Sequence, residues 1–146
     1  MVRYWLSLLV FLAGITLTIY TSGGLVLFYL DIPSLIIVGI CPFLFVSILF
    51  GFKEMVSSFS VSFKEDVEKG TLLEALNFFS VYGKTTWIAG FIAVLIGVIA
   101  MLVALEDKTA LGPNMALALI SMLYSGIIHV VIITPCIIFI KRRLKA

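Results

Sequence analysis

Four long apolar runs, parted by short polar stretches, set the pattern of this chain. No charged residue lies between Arg3 and Asp31, between Asp31 and Lys53, between Lys84 and Glu106, or between Lys108 and Lys141. Each gap can supply the roughly 20 residues of helix that cross a hydrocarbon core of about 30 Å. Backbone groups in lipid have no water to bond, so helices are the expected form; a barrel would show short alternating segments instead. The pattern predicts spans at about 4–22, 33–51, 85–105 and 114–140. The first run follows Arg3, as in a signal peptide, but it is too long for one. It ends in Thr21-Ser22-Gly23-Gly24, without a small-x-small cleavage pattern, and is read as a retained helix.

The one sizeable polar segment is 52–84. Val56, Phe59, Phe63 and Val67 recur at helical spacing beside Lys64, Glu65, Asp66 and Glu68, which predicts an amphipathic helix ended by Gly70. Thr71-Leu72-Leu73-Glu74 then has the form of a capping box, where hydroxyl and carboxylate satisfy the orphan amides of a new helix running into the third span. About thirty residues cannot build a core of their own. The segment is expected either to lie on the membrane surface or its neighbours, or to present a partner-binding face.

Composition sharpens this picture: 62% of the residues are hydrophobic and 12% charged, far from a water-exposed domain. The few charges set the topology. Arg3, Lys53, Lys64, Lys69, Lys84, Lys141, Arg142, Arg143 and Lys145 fall on one side of the predicted spans, and only Lys108 on the other. By the positive-inside rule both chain ends and the 52–84 segment are expected in the cytoplasm. The expected fold is therefore a single all-α integral membrane domain over 1–146. The net charge of +2 follows from that topology and implies no nucleic-acid partner. Cys41 and Cys136 sit inside apolar runs without ligand spacing, and no nucleophile–base pair, phosphate loop or metal spacing can be assembled. No catalytic site, metal or cofactor is expected.

Helices in lipid associate through close packing, which small residues permit. In the third span Gly90, Ala93, Gly97, Ala100 and Ala104 form one small face. In the fourth, Asn114, Ala118, Ser121, Ser125 and His129 form a small and polar one, with Gly126 beside it. The first two spans carry large apolar residues around most of their circumference. The third and fourth suit the interior of an assembly, and the first and second its lipid-facing rim. Ser121 and Ser125 can bond their own backbone or a neighbouring helix, or face a path for ions. His129 reads either as a neutral, hydrogen-bonded packing residue or as a proton relay. No Asp, Glu, Lys or Arg lies inside any span, so ion coupling would need a carboxylate from a partner.

Leu111-Gly112-Pro113-Asn114-Met115-Ala116-Leu117-Ala118-Leu119, the later Leu123-Tyr124 pair and Pro135 resemble the fourth-helix signature of MotA-type subunits. Gly97-Val98-Ile99-Ala100-Met101-Leu102 resembles the end of their third helix, and Gly23-Gly24 with Asp31–Gly39 their first outer loop and second helix. Lys69-Gly70-Thr71-Leu72-Leu73-Glu74 is similar to a cytoplasmic motif after that helix. The resemblance to the MotA/TolQ/ExbB family implies a homopentamer in a bacterial inner membrane, with the third and fourth helices lining a central pore. It also implies a dimer of single-span MotB/ExbD/TolR-like partners that supply an ion-carrying aspartate. The family's pore hydroxyl positions align with Val94 and Met122, and Ser121 lies beside the second. A proline expected at the start of the third helix appears as Trp87, and 52–84 is short beside the family's cytoplasmic domain, so flagellar torque is not expected.

Three functions follow as expectations. The first is a ring subunit of a proton- or sodium-driven motor, with Val94, Ser121, Met122, Ser125 and His129 along the ion path and Gly90, Ala93, Gly97, Ala100, Ala118, Gly126 and Pro135 packing the helices. The second is a non-conducting scaffold ring, since apolar Val94 and Met122 raise the cost of desolvating an ion. The third is an autonomous channel or transporter lined by Ser121, Ser125 and His129.

Overall fold

The computed structural model describes residues 2–62, 64, 67–106 and 108–145, the side chains of Val2, Arg3, Lys108 and Ala110 excepted. Phe63, Glu65 and Asp66, expected on the amphipathic helix, lie outside the described residues. Among the described residues, four helices are long and apolar enough to cross a membrane. These are α1 (Val2–Thr21), α2 (Ile32–Phe50), α4 (Lys69–Val103) and α5. The last is continuous through Lys108–Ile128, His129–Ile133 and Thr134–Lys145. The short α3 (Phe52–Val61) follows α2. The chain forms two compact units, Met1–Ile32 and Pro33–Ala146.

In the first unit α1 neutralises its own polar side chains. Ser7, Thr16, Thr18 and Thr21 donate their hydroxyls to carbonyls three or four residues back. An apolar helix can therefore carry them without an unpaired group. It ends where Gly23 takes φ +71°, and the amides of Gly23 and Gly24 bond the carbonyls of Tyr20 and Ile19.

The second unit is organised by α4. At about 1.5 Å per residue its 35 residues reach about 50 Å, well beyond a bilayer core. Its N-terminal part and its span are one uninterrupted helix. The helix starts earlier than the sequence pattern suggests: Glu68, in extended conformation, is the N-cap, and the Leu72 amide already bonds its carbonyl at 3.2 Å. Gly70 and Thr71 thus lie inside the first turn. The capping box expected at Thr71–Glu74 does not form.

Gly51, at φ +91°, breaks the chain between α2 and α3, a conformation that favours glycine. The buried side of α3 is Met55, Ser58 and Val61, while Val56, expected on the apolar stripe, is half exposed. Of the other stripe residues, Phe59 and Val67 do pack against the core, so α3 buries both flanks of the expected line where it meets α2 and α4. Its C-terminal end is tied down from a distance in sequence: the Arg143 guanidinium donates to the carbonyl of Val61 at 2.8 Å and to that of Lys64. Orphan carbonyls at a helix end need such donors.

Between α2, α3, α4 and α5 lies an aromatic core. Phe78 and Phe79 are fully buried and meet edge to face at 5.4 Å; Phe59 touches Phe79 at 5.0 Å and Phe50 touches Phe78 at 5.5 Å. Val46, Met55, Leu72, Ile133 and Ile140 close around them. Edge-to-face pairs contribute about 0.5–1.5 kcal/mol each beyond burial.

Both α2 and α5 widen by one residue per turn ahead of a proline. The Cys41 amide bonds the Ile36 carbonyl and the Thr134 amide the His129 carbonyl, each five residues back. Pro42 and Pro135 follow directly. A proline donates no bond and its ring crowds the carbonyl four residues earlier, and a π turn makes room for it.

Phe78→Ala is expected to destabilise the chain by about 3–5 kcal/mol in reversible unfolding from mixed micelles, the usual loss for a buried phenylalanine. Val103→Ala, at a residue 83% exposed, is expected to change the same midpoint little.

Candidate functional site: the glycine row between α4 and α5

Gly83, Gly90 and Gly97 lie seven residues apart on α4, so they share one face. They face α5 running the other way. A Cβ on Gly97 would stand 2.7 Å from the Ala118 Cβ and 3.0 Å from the Asn114 carbonyl oxygen. One on Gly90 would stand 2.7 Å from the Ser125 Cβ. One on Gly83 would stand 3.0 Å from the His129 Cε1 and 3.2 Å from the Ile133 Cγ2. The two helices therefore touch backbone to side-chain root along their length, the close approach that small residues allow in lipid. Ala93 and Ala118 are buried with the row, and Ala100 is half-buried. A Cβ on Gly126 would meet nothing within 4 Å, so Gly126 lies outside the close contact of the row.

The polar face of α5 is held inside this unit. Ser121 shares a 2.8 Å hydroxyl–hydroxyl bond with Ser34 of α2 and donates to the Leu117 carbonyl at 2.9 Å. The Ser125 hydroxyl donates to the Thr86 carbonyl of α4 at 3.3 Å, and the Thr86 hydroxyl to Tyr82 one turn earlier. Ser34, Ser121, Ser125 and Thr86 are all buried. Interhelical bonds of this kind in a membrane contribute about 0.6 kcal/mol each. Of the other residues expected along an ion path, Met122 is 40% exposed and Val94 half-buried.

His129 departs from a hydrogen-bonded packing residue. Its Nδ1 is buried and has no hydrogen-bond partner among the described residues. Its ring leans on Trp87 at 5.8 Å between centroids and covers Gly83. A buried ring nitrogen left unpaired costs roughly 1–3 kcal/mol. His129 also opens the π turn before Pro135, so the widened backbone and the unpaired imidazole coincide.

Three residues of this site were not singled out by the pattern of small residues. Gly83 continues the row seven residues before Gly90, but it sits outside the predicted span, beside Lys84. Ser34 and Thr86 are isolated polar residues near span ends, and only the packing reveals their partners.

The fold is that of a multi-pass helical membrane protein built on a close glycine contact between its two longest helices. Its sequence is similar in part to Motility protein A of spirochaetes. It is 44% identical to that of Borreliella burgdorferi over 57 residues, 39% of this chain and 22% of that protein. It is 46% identical to that of Treponema pallidum over 46 residues, 32% and 18% of the two chains. It is 50% identical to that of Treponema phagedenis over 38 residues, 26% and 15%. The chain spans about a fifth or less of the length of these curated relatives. No protein-family model matches it.

Gly97→Ala is expected to destabilise by about 1–3 kcal/mol, because the new methyl meets backbone atoms that cannot rotate away. Gly126→Ala, in open space, is expected to be neutral or to stabilise by up to about 1 kcal/mol through helix propensity. Unfolding of both variants in the same micelles checks the pair; equal effects would contradict the row.

Proposed function

We propose that this chain is a ring-forming subunit of an ion-driven membrane complex of the MotA/TolQ/ExbB kind, assembled as a homopentamer around a single-span, aspartate-bearing partner. The observation that carries the reading is the partial identity to Motility protein A. Two features support it. The spans hold no acidic residue, so a coupled ion needs a carboxylate from elsewhere. The outer faces of α4 and α5 also keep Leu95, Ile99, Met115, Leu119 and Met122 exposed, an apolar surface suited to further copies or lipid. In this reading the glycine row holds each subunit together and the opposite faces meet around the axis.

A second reading is favoured by the chemistry of the expected path. Val94 and Met122 are apolar, and the hydroxyls of Ser121 and Ser125 are already bonded inside the chain. A ring with those features would be a scaffold that conducts no ion.

Native mass measurement in mild detergent is expected to return a pentamer; a monomer or dimer would overturn the ring. Liposomes holding the chain with a single-span aspartate-bearing partner then separate the two readings. Proton or sodium uptake above that of the chain alone excludes the scaffold, and its absence favours it.

A further inference from the structure

The end of the second unit that holds the polar segment carries its outward charges on two separate flanks. Glu54 and Glu74 are exposed and line one small cavity between α3 and α4, with Ser57 and Thr71. At the end of α5, Lys141, Arg142 and Lys145 are exposed. Among the cations of that run only Arg143 turns inward, to the carbonyls of Val61 and Lys64, which fixes the setting of the other three. Among the described residues none of the five outward side chains has an ion pair or hydrogen bond of its own.

The two groups point away from each other at one height. Glu74 lies about two and a half turns before Gly83, on the side of α4 turned away from the glycine row and so from α5. Lys145 lies about two and a half turns after buried Cys136, on the side of α5 turned away from the aromatic core. The glycine row sets the heights. Gly83 faces His129 and Ile133, and the helices are antiparallel, so Glu74 comes level with Ile140 and Lys141.

We propose that these flanks are the two halves of one interface between copies, in which Lys141, Arg142 and Lys145 of one chain dock on Glu54 and Glu74 of the next. Charge complementarity chooses the partner. The cationic flank calls for acid, and this chain supplies it at the matching height but out of its own reach. Rotation about an axis along the helices preserves that height, so each copy repeats the contact head to tail. A contact of that kind closes into a ring. The acidic flank is also continuous with a face that the ring reading joins: Ile99, exposed, lies within about 20° of Glu74 around α4. The inference rests on that reading and names the contacts that set its register. Exposed ion pairs add little affinity each, but like charges brought together penalise every wrong pairing of flanks.

The test reverses each flank in the full chain: Glu54→Lys with Glu74→Lys, Lys141→Glu with Lys145→Glu, and all four together. Native mass over a dilution series in mild detergent at low salt reads the assembly. Reversing either flank is expected to raise the concentration for half assembly by about tenfold, and the fourfold variant to bring it back. Reversals that leave a pentamer of the unaltered chain unchanged would overturn the docking and keep the ring. Loss that the fourfold variant does not rescue also overturns the docking; confined to the basic flank, it marks a face seated on anionic lipid. A dimer that loses and regains assembly with charge keeps the docking and ends the ring. A monomer of the unaltered chain ends both.

Discussion

The close approach of α4 and α5, permitted by the absence of side chains at Gly83, Gly90 and Gly97, is the contact on which the second unit depends. Lipid tails are as apolar as leucine, so burying more leucine between helices gains little inside a bilayer. What holds such helices is contact density and satisfied polar groups. The glycine row supplies the first by bringing Ala118, Ser125 and Ile133 against the α4 backbone. The second follows from it, since the Ser125 hydroxyl reaches the Thr86 carbonyl across that interface.

From this contact the rest of the unit takes its position. With α5 fixed along α4, Ile133, Cys136 and Ile140 fall into the aromatic core of Phe78 and Phe79, where water-based burial and edge-to-face contact stabilise the end of the helix pair that extends into the polar segment. Arg143, two turns further on from Cys136, then reaches the carbonyls that end α3. The polar segment between α2 and α4 is folded by its neighbours. Membrane-type packing along the spans and water-type packing at their ends meet in one helix pair.

The spans were legible because charge is so costly in lipid that Arg3, Asp31, Lys53, Lys84, Glu106, Lys108 and Lys141 alone bracket them. Gly90, Gly97 and Ala118 were legible for a related reason: a small residue in a span has few other uses. What the small faces touch was not legible. A stripe that packs within one chain and one that packs between copies have the same composition, and only the fold turns Ser121 to Ser34 and Ser125 to Thr86. The register of α3 was also hidden. Met55 and Val56 are both apolar, and it is Met55 that is buried, against Ser47 of α2. His129 is the instructive case: its ring packs on Gly83 and Trp87, as a packing histidine would, yet its Nδ1 lacks the expected hydrogen bond among the described residues.

The small faces of α4 and α5 are spent inside the chain, and in the proposed ring their opposite faces meet other copies. Cysteine cross-linking in membranes, with Cys41 and Cys136 replaced, tests this directly. Met122→Cys is expected to link neighbouring copies and Ser125→Cys to link none. Ready links between copies through position 125, with none through position 122, would contradict it.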